Sequence, residues 1–201
     1  MIGNFVRLRL VRVVLVASLA IAAPAVADNH VKTLAPIAQP DPASLAPGLS
    51  VTYYFHLFNT VSEIPQWARN NKSVEGTPLP ALNYSVGSGK VLTSDRTDGV
   101  GATITGLIRF PAAGRYVLAM QSNDGVSLSI GGQRILADPG VHTDRFSELV
   151  RVDIKVAGWY PLDLLYFERR NTSTLQLYWA QEAAGESLRL VPPEAFARPR
   201  E

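Results

Sequence analysis

Three stretches of this chain place an apolar residue at every second position. Val126, Leu128 and Ile130 alternate with Ser127 and Ser129; Val150, Val152, Ile154 and Val156 alternate with Arg151, Asp153 and Lys155; Leu175, Leu177 and Trp179 alternate with Gln176 and Tyr178. Successive side chains of a β-strand point to opposite faces, so this period gives one dry face and one wet face, which the 3.6-residue period of a helix cannot reproduce. Each stretch reads as a half-buried strand that needs a second layer to cover it. Gly131-Gly132 reads as a tight hairpin leading into Gln133 to Ala137, because both glycines take positive φ without steric cost. Ala157-Gly158 reads the same way between two of the longest strands. Tyr160 to Phe167 is apolar on both parities apart from Asp163, the pattern of a central strand covered on both faces. The one helical signal is Ser62 to Asn70, with Ser62 placed to cap it and Pro65 in its first turn. Short strands, glycine turns and hardly any helix predict an all-β fold, an antiparallel sandwich or barrel.

The sequence has no cysteine, which excludes disulfides, thiolate metal sites and thiol nucleophiles. Its first 27 residues have the order of a signal peptide: a basic start at Arg7, Arg9 and Arg12, an apolar run from Val13 to Ala22, and the small residues Ala25-Val26-Ala27. That run is shorter than the roughly 20 residues a membrane-spanning helix requires, so no membrane insertion is expected once the signal is cleaved. The mature chain is expected to be periplasmic or secreted. The formal charge of +2 owes much to the three leader arginines; without them 16 basic side chains face 17 acidic ones, and no basic cluster remains to bind nucleic acid. Residues 28–47 carry Pro36, Pro40, Pro42 and Pro47 among many alanines and read as an extended Pro/Ala-rich linker. The globular domain is expected over residues 48–197.

Enzyme signatures are missing. His30, His56 and His142 form no zinc-binding pair, there is no Gly-x-Ser-x-Gly elbow, and Gly87-Ser88-Gly89-Lys90 lacks the rest of a phosphate loop and reads as a surface turn. The chain is expected to be non-catalytic.

The informative stretch is Gln121 to Gly132, where Asn123-Asp124-Gly125 stands at the mouth of an alternating strand. Read by itself, the triplet is either a turn that bonds its own backbone or a pair of oxygen ligands for a hard cation. Further motifs surround it in order: Gly48-Leu49 and Tyr53-Tyr54-Phe55, Thr105-Gly106-Leu107-Ile108, Ala113 to Leu118, Ala157 to Leu162, the Leu175 strand, and Val191-Pro192-Pro193-Glu194. In these the sequence resembles the PA14 family, the β-rich module of bacterial toxins, adhesins and glycosidases. The resemblance runs from Gly48 to Phe196 and implies a two-sheet antiparallel β-sandwich.

In sugar-binding members, two consecutive aspartates joined by a cis peptide hold a calcium ion that binds sugar hydroxyls, and the resemblance places these at Asn123 and Asp124. Asn123 offers a neutral oxygen in place of a carboxylate, which lowers the ligand charge and moves the expected affinity for calcium to the weak extracellular range of roughly 10⁻⁴ to 10⁻³ M. A third ligand has to come from a neighbouring loop; Asp138, Asp144 and Asn171 are candidates, with Asp144 expected in the metal set and His142 on the same rim. Gly125 completes the ligand-binding turn. Among the aromatics, Trp179 and Tyr116 read as core, Trp159 follows a turn, and Trp67 on the short helix is the expected stacking platform for a sugar ring. The expected function is an exported, non-catalytic binding module for carbohydrate, or another component, of a cell envelope or extracellular polymer. The alternative is an envelope protein-interaction or structural module with neither metal nor sugar site.

Overall fold

The computed structural model describes residues 31–185 and 187–200. The expected signal peptide and His30 lie outside the described residues. The strands run in chain order as β1 (Lys32–Leu34), β2 (Leu45–Pro47), β3 (Ser50–Phe55), β4 (Val74–Glu75), β5 (Asn83–Gly87), β6 (Val100–Phe110), β7 (Gly114–Asn123), β8 (Val126–Ile130), β9 (Gln133–Asp138), β10 (Arg145–Phe146), β11 (Val150–Ile154), β12 (Gly158–Glu168), β13 (Ser173–Gln181), β14 (Arg189–Leu190) and β15 (Phe196–Pro199). They form two sheets. One has the order β1-β11-β7-β13-β14, with β10 added to β7 and β5 to β13; the other has β2-β15-β6-β12-β8-β9, with β3 on β6 and β4 on β3. All pairings are antiparallel except that of β1 with β11.

The alternating positions within the strands face inward, with Val150 partly buried at the start of β11; Val156, past the end of β11, is instead 50% exposed. Val126, Leu128 and Ile130 from β8, Val152 and Ile154 from β11, and Leu175, Leu177 and Trp179 from β13 meet in one core between the sheets. Tyr116 and Trp179 belong to it, and the ring of Phe110 stands edge-on to Tyr116 at 5.0 Å. The hairpin at Gly131-Gly132 joins β8 to β9 with both glycines at positive φ, 60° and 75°. Strand β12 is central, flanked by β6 and β8. Its outer face is only partly covered: Phe167 and Leu165 join Phe58, Val61 and Ile64 in a smaller cluster with the helix α1 (Glu63–Ala68), while Asp163 is exposed.

Three expectations change. The turn at Ala157-Gly158 is no hairpin: β11 lies in one sheet and β12 in the other, so these residues carry the chain between layers. Alternation gives a strand its faces but does not name its neighbour. Ser62 sits at the N-terminus of α1 without a capping hydrogen bond. Nearby, the Glu63 carboxylate accepts from the Asn59 amide at 3.0 Å. Finally, the segment read as a linker is tied to both sheets over its described residues. β1 pairs with β11, β2 pairs with β15, and Leu34 is 0% exposed within the core. Proline favours the extended backbone that a linker uses, and a short edge strand uses the same conformation.

Candidate functional site

Strand β7 belongs to one sheet and β8 to the other, and Asn123, Asp124 and Gly125 make the step between them. The Asn123–Asp124 peptide bond is cis. The step is tied to the end of β12: the Asp124 amide donates to the Phe167 carbonyl at 3.1 Å, and the Phe167 amide donates to the Gly125 carbonyl at 3.0 Å. The buried Tyr166 hydroxyl donates to the Asn123 carbonyl at 2.7 Å. Gly125 is required by space. A Cβ there would lie 2.6 Å from the Pro139 carbonyl oxygen and run into the Phe167 ring.

The Asp124 side chain does not bond its own turn. Its Oδ1 accepts from the His142 amide at 3.0 Å and its Oδ2 from the Arg169 amide at 2.7 Å, so two loops remote in sequence close on one carboxylate that is 3% exposed. Each carboxylate oxygen has a second lone pair. Asn123 donates its Nδ2 to the Thr172 hydroxyl at 2.7 Å, leaving Oδ1 as its acceptor end. Beside these residues opens a cleft of about 520 Å³ lined by Asn123, Asp124, residues 141–143 and residues 169–172. Asn171 adopts a left-handed backbone with φ of 79°, and its amide donates to the Asp98 Oδ1 at 2.8 Å.

Behind the cleft, Glu168 is 0% exposed and neither of its oxygens makes a hydrogen bond. Burial, with the Asp98 and Asp124 carboxylates nearby, pushes its pKa up to about 8. The same burial, with Glu168, Asp124 and Asp144 around it, holds Tyr166 well above the ordinary tyrosine value.

The structure thus brings Asn123, Asp124, Gly125, His142 and Asn171 together at one end of the sandwich. Asp144 is exposed and does not line the cleft. Asp138 is taken by Arg145, whose Nε and Nη2 reach its two oxygens at 2.7 and 2.6 Å and keep its carboxyl below the usual range, and His142 Nε2 stands 3.3 Å from it. Trp67 is half-buried and also outside the cleft. The His56 ring stacks on it at 4.0 Å with planes 17° apart, so one face of the indole is already covered. Residues the sequence gave no reason to choose are Thr172, Arg169 and Arg170, which line the cleft, and Glu168 behind it.

Among the described residues, no three of His, Asp and Glu gather as a metal site. The donors present are one carboxylate, on Asp124, and the side-chain amides of Asn123 and Asn171. Such an all-oxygen set with a single charge fits a hard cation held loosely.

The sequence profile of the PA14 domain matches residues 45–189. The chain belongs to the PA14 domain family. The PA14 fold is shared with solved structures at low identity. The PA14 domain of the antifreeze protein MpAFP is 17% identical with a TM-score of 0.61, over 80% of this chain and 96% of that one. The PA14 sugar-binding domain from an RTX adhesin is 14% identical with a TM-score of 0.59, over 76% and 99%. The Epithelial Adhesin 9 A domain from Candida glabrata, solved in complex with Galb1-4GlcNAc, is 11% identical with a TM-score of 0.61, over 85% and 96%. No curated protein matches the chain. Among the described residues, no helix is long and apolar enough to cross a membrane.

Proposed function

We propose that this PA14 domain is an exported, non-catalytic module that binds carbohydrate of a cell envelope or extracellular polymer in the cleft at Asn123 and Asp124. The observation that carries the reading is the Asp124 carboxylate, held from behind by the His142 and Arg169 amides at the wall of an open cleft furnished with side-chain amides and hydroxyls. Polar groups fixed by the main chain lose little freedom when a ligand arrives, which favours recognition of hydroxyl-rich molecules. The adhesin domains that share the fold are described as sugar-binding or were solved with a galactose disaccharide. Those relationships support the reading.

Asn123 and Asp124, joined by Asn171 in place of the more distant Asp144, would hold a calcium ion. Bound there, calcium supplies open coordination positions to sugar hydroxyls. The protein's own part is to hold the carboxylate in place and to present Thr143, Asn171 and Thr172 as hydrogen-bonding groups beside it.

A second reading, a protein-interaction module, rests on a different surface. Phe146 and Leu149 are 52% and 59% exposed, and Phe146 leans on Tyr178 at 5.2 Å, leaving apolar area beside the short strand β10. A glycan array probed in calcium and again in chelator separates the two. Retention of a defined set of glycans, weakened by chelation, supports the cleft; no retention, or uniform retention of every polymer, overturns it.

A further inference from the structure

Resting on the carbohydrate reading, we infer that the cleft selects an anionic saccharide, a sugar carrying a carboxylate or sulfate, through the guanidinium groups of Arg169 and Arg170.

Consecutive arginines leave the end of β12 and line the cleft together with Asn123, Asp124 and Asn171. Elsewhere on the domain several arginines are engaged: Arg145 grips Asp138 with two nitrogens, and Arg151 reaches Glu182 at 2.6 Å. Arg169 and Arg170 make no such ion pair among the described residues. Arg169 is half-buried, and its Nε is shut off from solvent without a hydrogen-bond partner. A buried guanidinium nitrogen without an acceptor leaves the Arg169 charge uncompensated within the protein, so an anion meeting the cleft side of the group gains more from it than from an arginine already held in an ion pair.

The charges lining the cleft point the same way. Two arginines face one carboxylate, Asp124, and that carboxylate already accepts from two amides. Asp98 stands behind the loop with Oδ1 committed to the Asn171 amide, and Glu168 is fully buried and does not line the cleft. A cation held at Asp124 adds positive charge. The preference for an anion therefore holds with the cation site filled or empty.

Guanidinium groups pair planar with carboxylate and sulfate oxygens through parallel N–H donors, a match no lysine makes. The neighbouring Thr143, Asn171 and Thr172 are left to meet ring hydroxyls, so one cleft reads both the charge and the sugar.

Isothermal titration of the folded protein compares trigalacturonate with its methyl ester, and a sulfated galactose trisaccharide with its desulfated form, each in calcium at 50 and 500 mM sodium chloride. Binding of one acidic ligand at least tenfold tighter than its neutral twin, with the advantage shrinking at high salt, is the expected result; the pair that shows it tells carboxylate from sulfate. Arg170→Gln should remove most of that gap, and Arg170→Lys should recover only part of it, with circular dichroism melts confirming that both variants fold. Equal affinity of acid and neutral forms in the wild-type protein overturns the anionic preference and leaves the carbohydrate reading standing. Absence of binding by all four ligands overturns the anionic preference, and the glycan array then decides the carbohydrate reading by itself.

Discussion

The Arg169 amide donates to the Asp124 carboxylate at 2.7 Å, fastening the loop after the central strand of one sheet to the end of a central strand of the other. With the His142 amide on the second oxygen, one buried side chain fixes three segments far apart in sequence.

Asp124→Ala should therefore destabilise the domain by about 3–5 kcal/mol, since hydrogen bonds to charged groups contribute about 1.5–3 kcal/mol each and the two amides would be left without acceptors. Asp124→Asn keeps one oxygen and should cost about half as much. Urea denaturation of both variants measures this, and a loss below 1 kcal/mol for the alanine variant would show that the loops are held by something else.

Glu168 sets a pH dependence. Its ordinary value is 4.5 and its value in the folded chain about 8, so between these the folded state keeps a proton the unfolded chain has released. Stability is greatest below pH 4.5 as far as this group is concerned, falls as pH rises toward 8, and stays low above it. Glu168→Gln mimics the protonated side chain and should flatten that fall, leaving the variant more stable than the wild type at pH 8.5 by up to about 5 kcal/mol, at about 1.4 kcal/mol per pH unit. Denaturation curves collected from pH 5 to 9 should converge at the acid end; parallel curves would contradict the assignment.

Leu34 tests the segment ahead of Gly48. A linker leucine can be removed without effect, whereas Leu34 is wholly buried against the core and Leu34→Ala should cost about 2–5 kcal/mol. Thermal unfolding decides between them.

Calcium at 10 mM should raise the melting temperature by a few degrees if the dissociation constant is about 1 mM, because mass action then adds about 1.4 kcal/mol. The increment should vanish in Asp124→Asn and be absent with magnesium, which dehydrates reluctantly and keeps several of its waters. An unchanged melting temperature across the titration argues against calcium binding.

The sandwich was legible because alternation at Val126, Val152 and Leu175 reports directly which side chains are buried, and β-strands leave that mark wherever one face is wet. Partnership between strands was not: nothing near Ala157-Gly158 says that β11 and β12 lie in different layers. The Pro/Ala-rich stretch failed for a related reason, since three-residue edge strands such as Lys32–Leu34 are too short for any period to show. At the cleft, Asn123-Asp124-Gly125 stood out through an adjacent acid and amide. Glu168, Arg169 and Arg170 carry no spacing or motif that marks them, and only folding reveals that Glu168 is buried while Asp124 uses the backbone of Arg169 rather than its charge.

The step from β7 to β8 also has a mechanical meaning. Strands β7 and β12 each have hydrogen-bonded neighbours on both sides. Tension applied through a tethered ligand would load those ladders along their length, as shear shared by many bonds, instead of unzipping a flap one bond at a time.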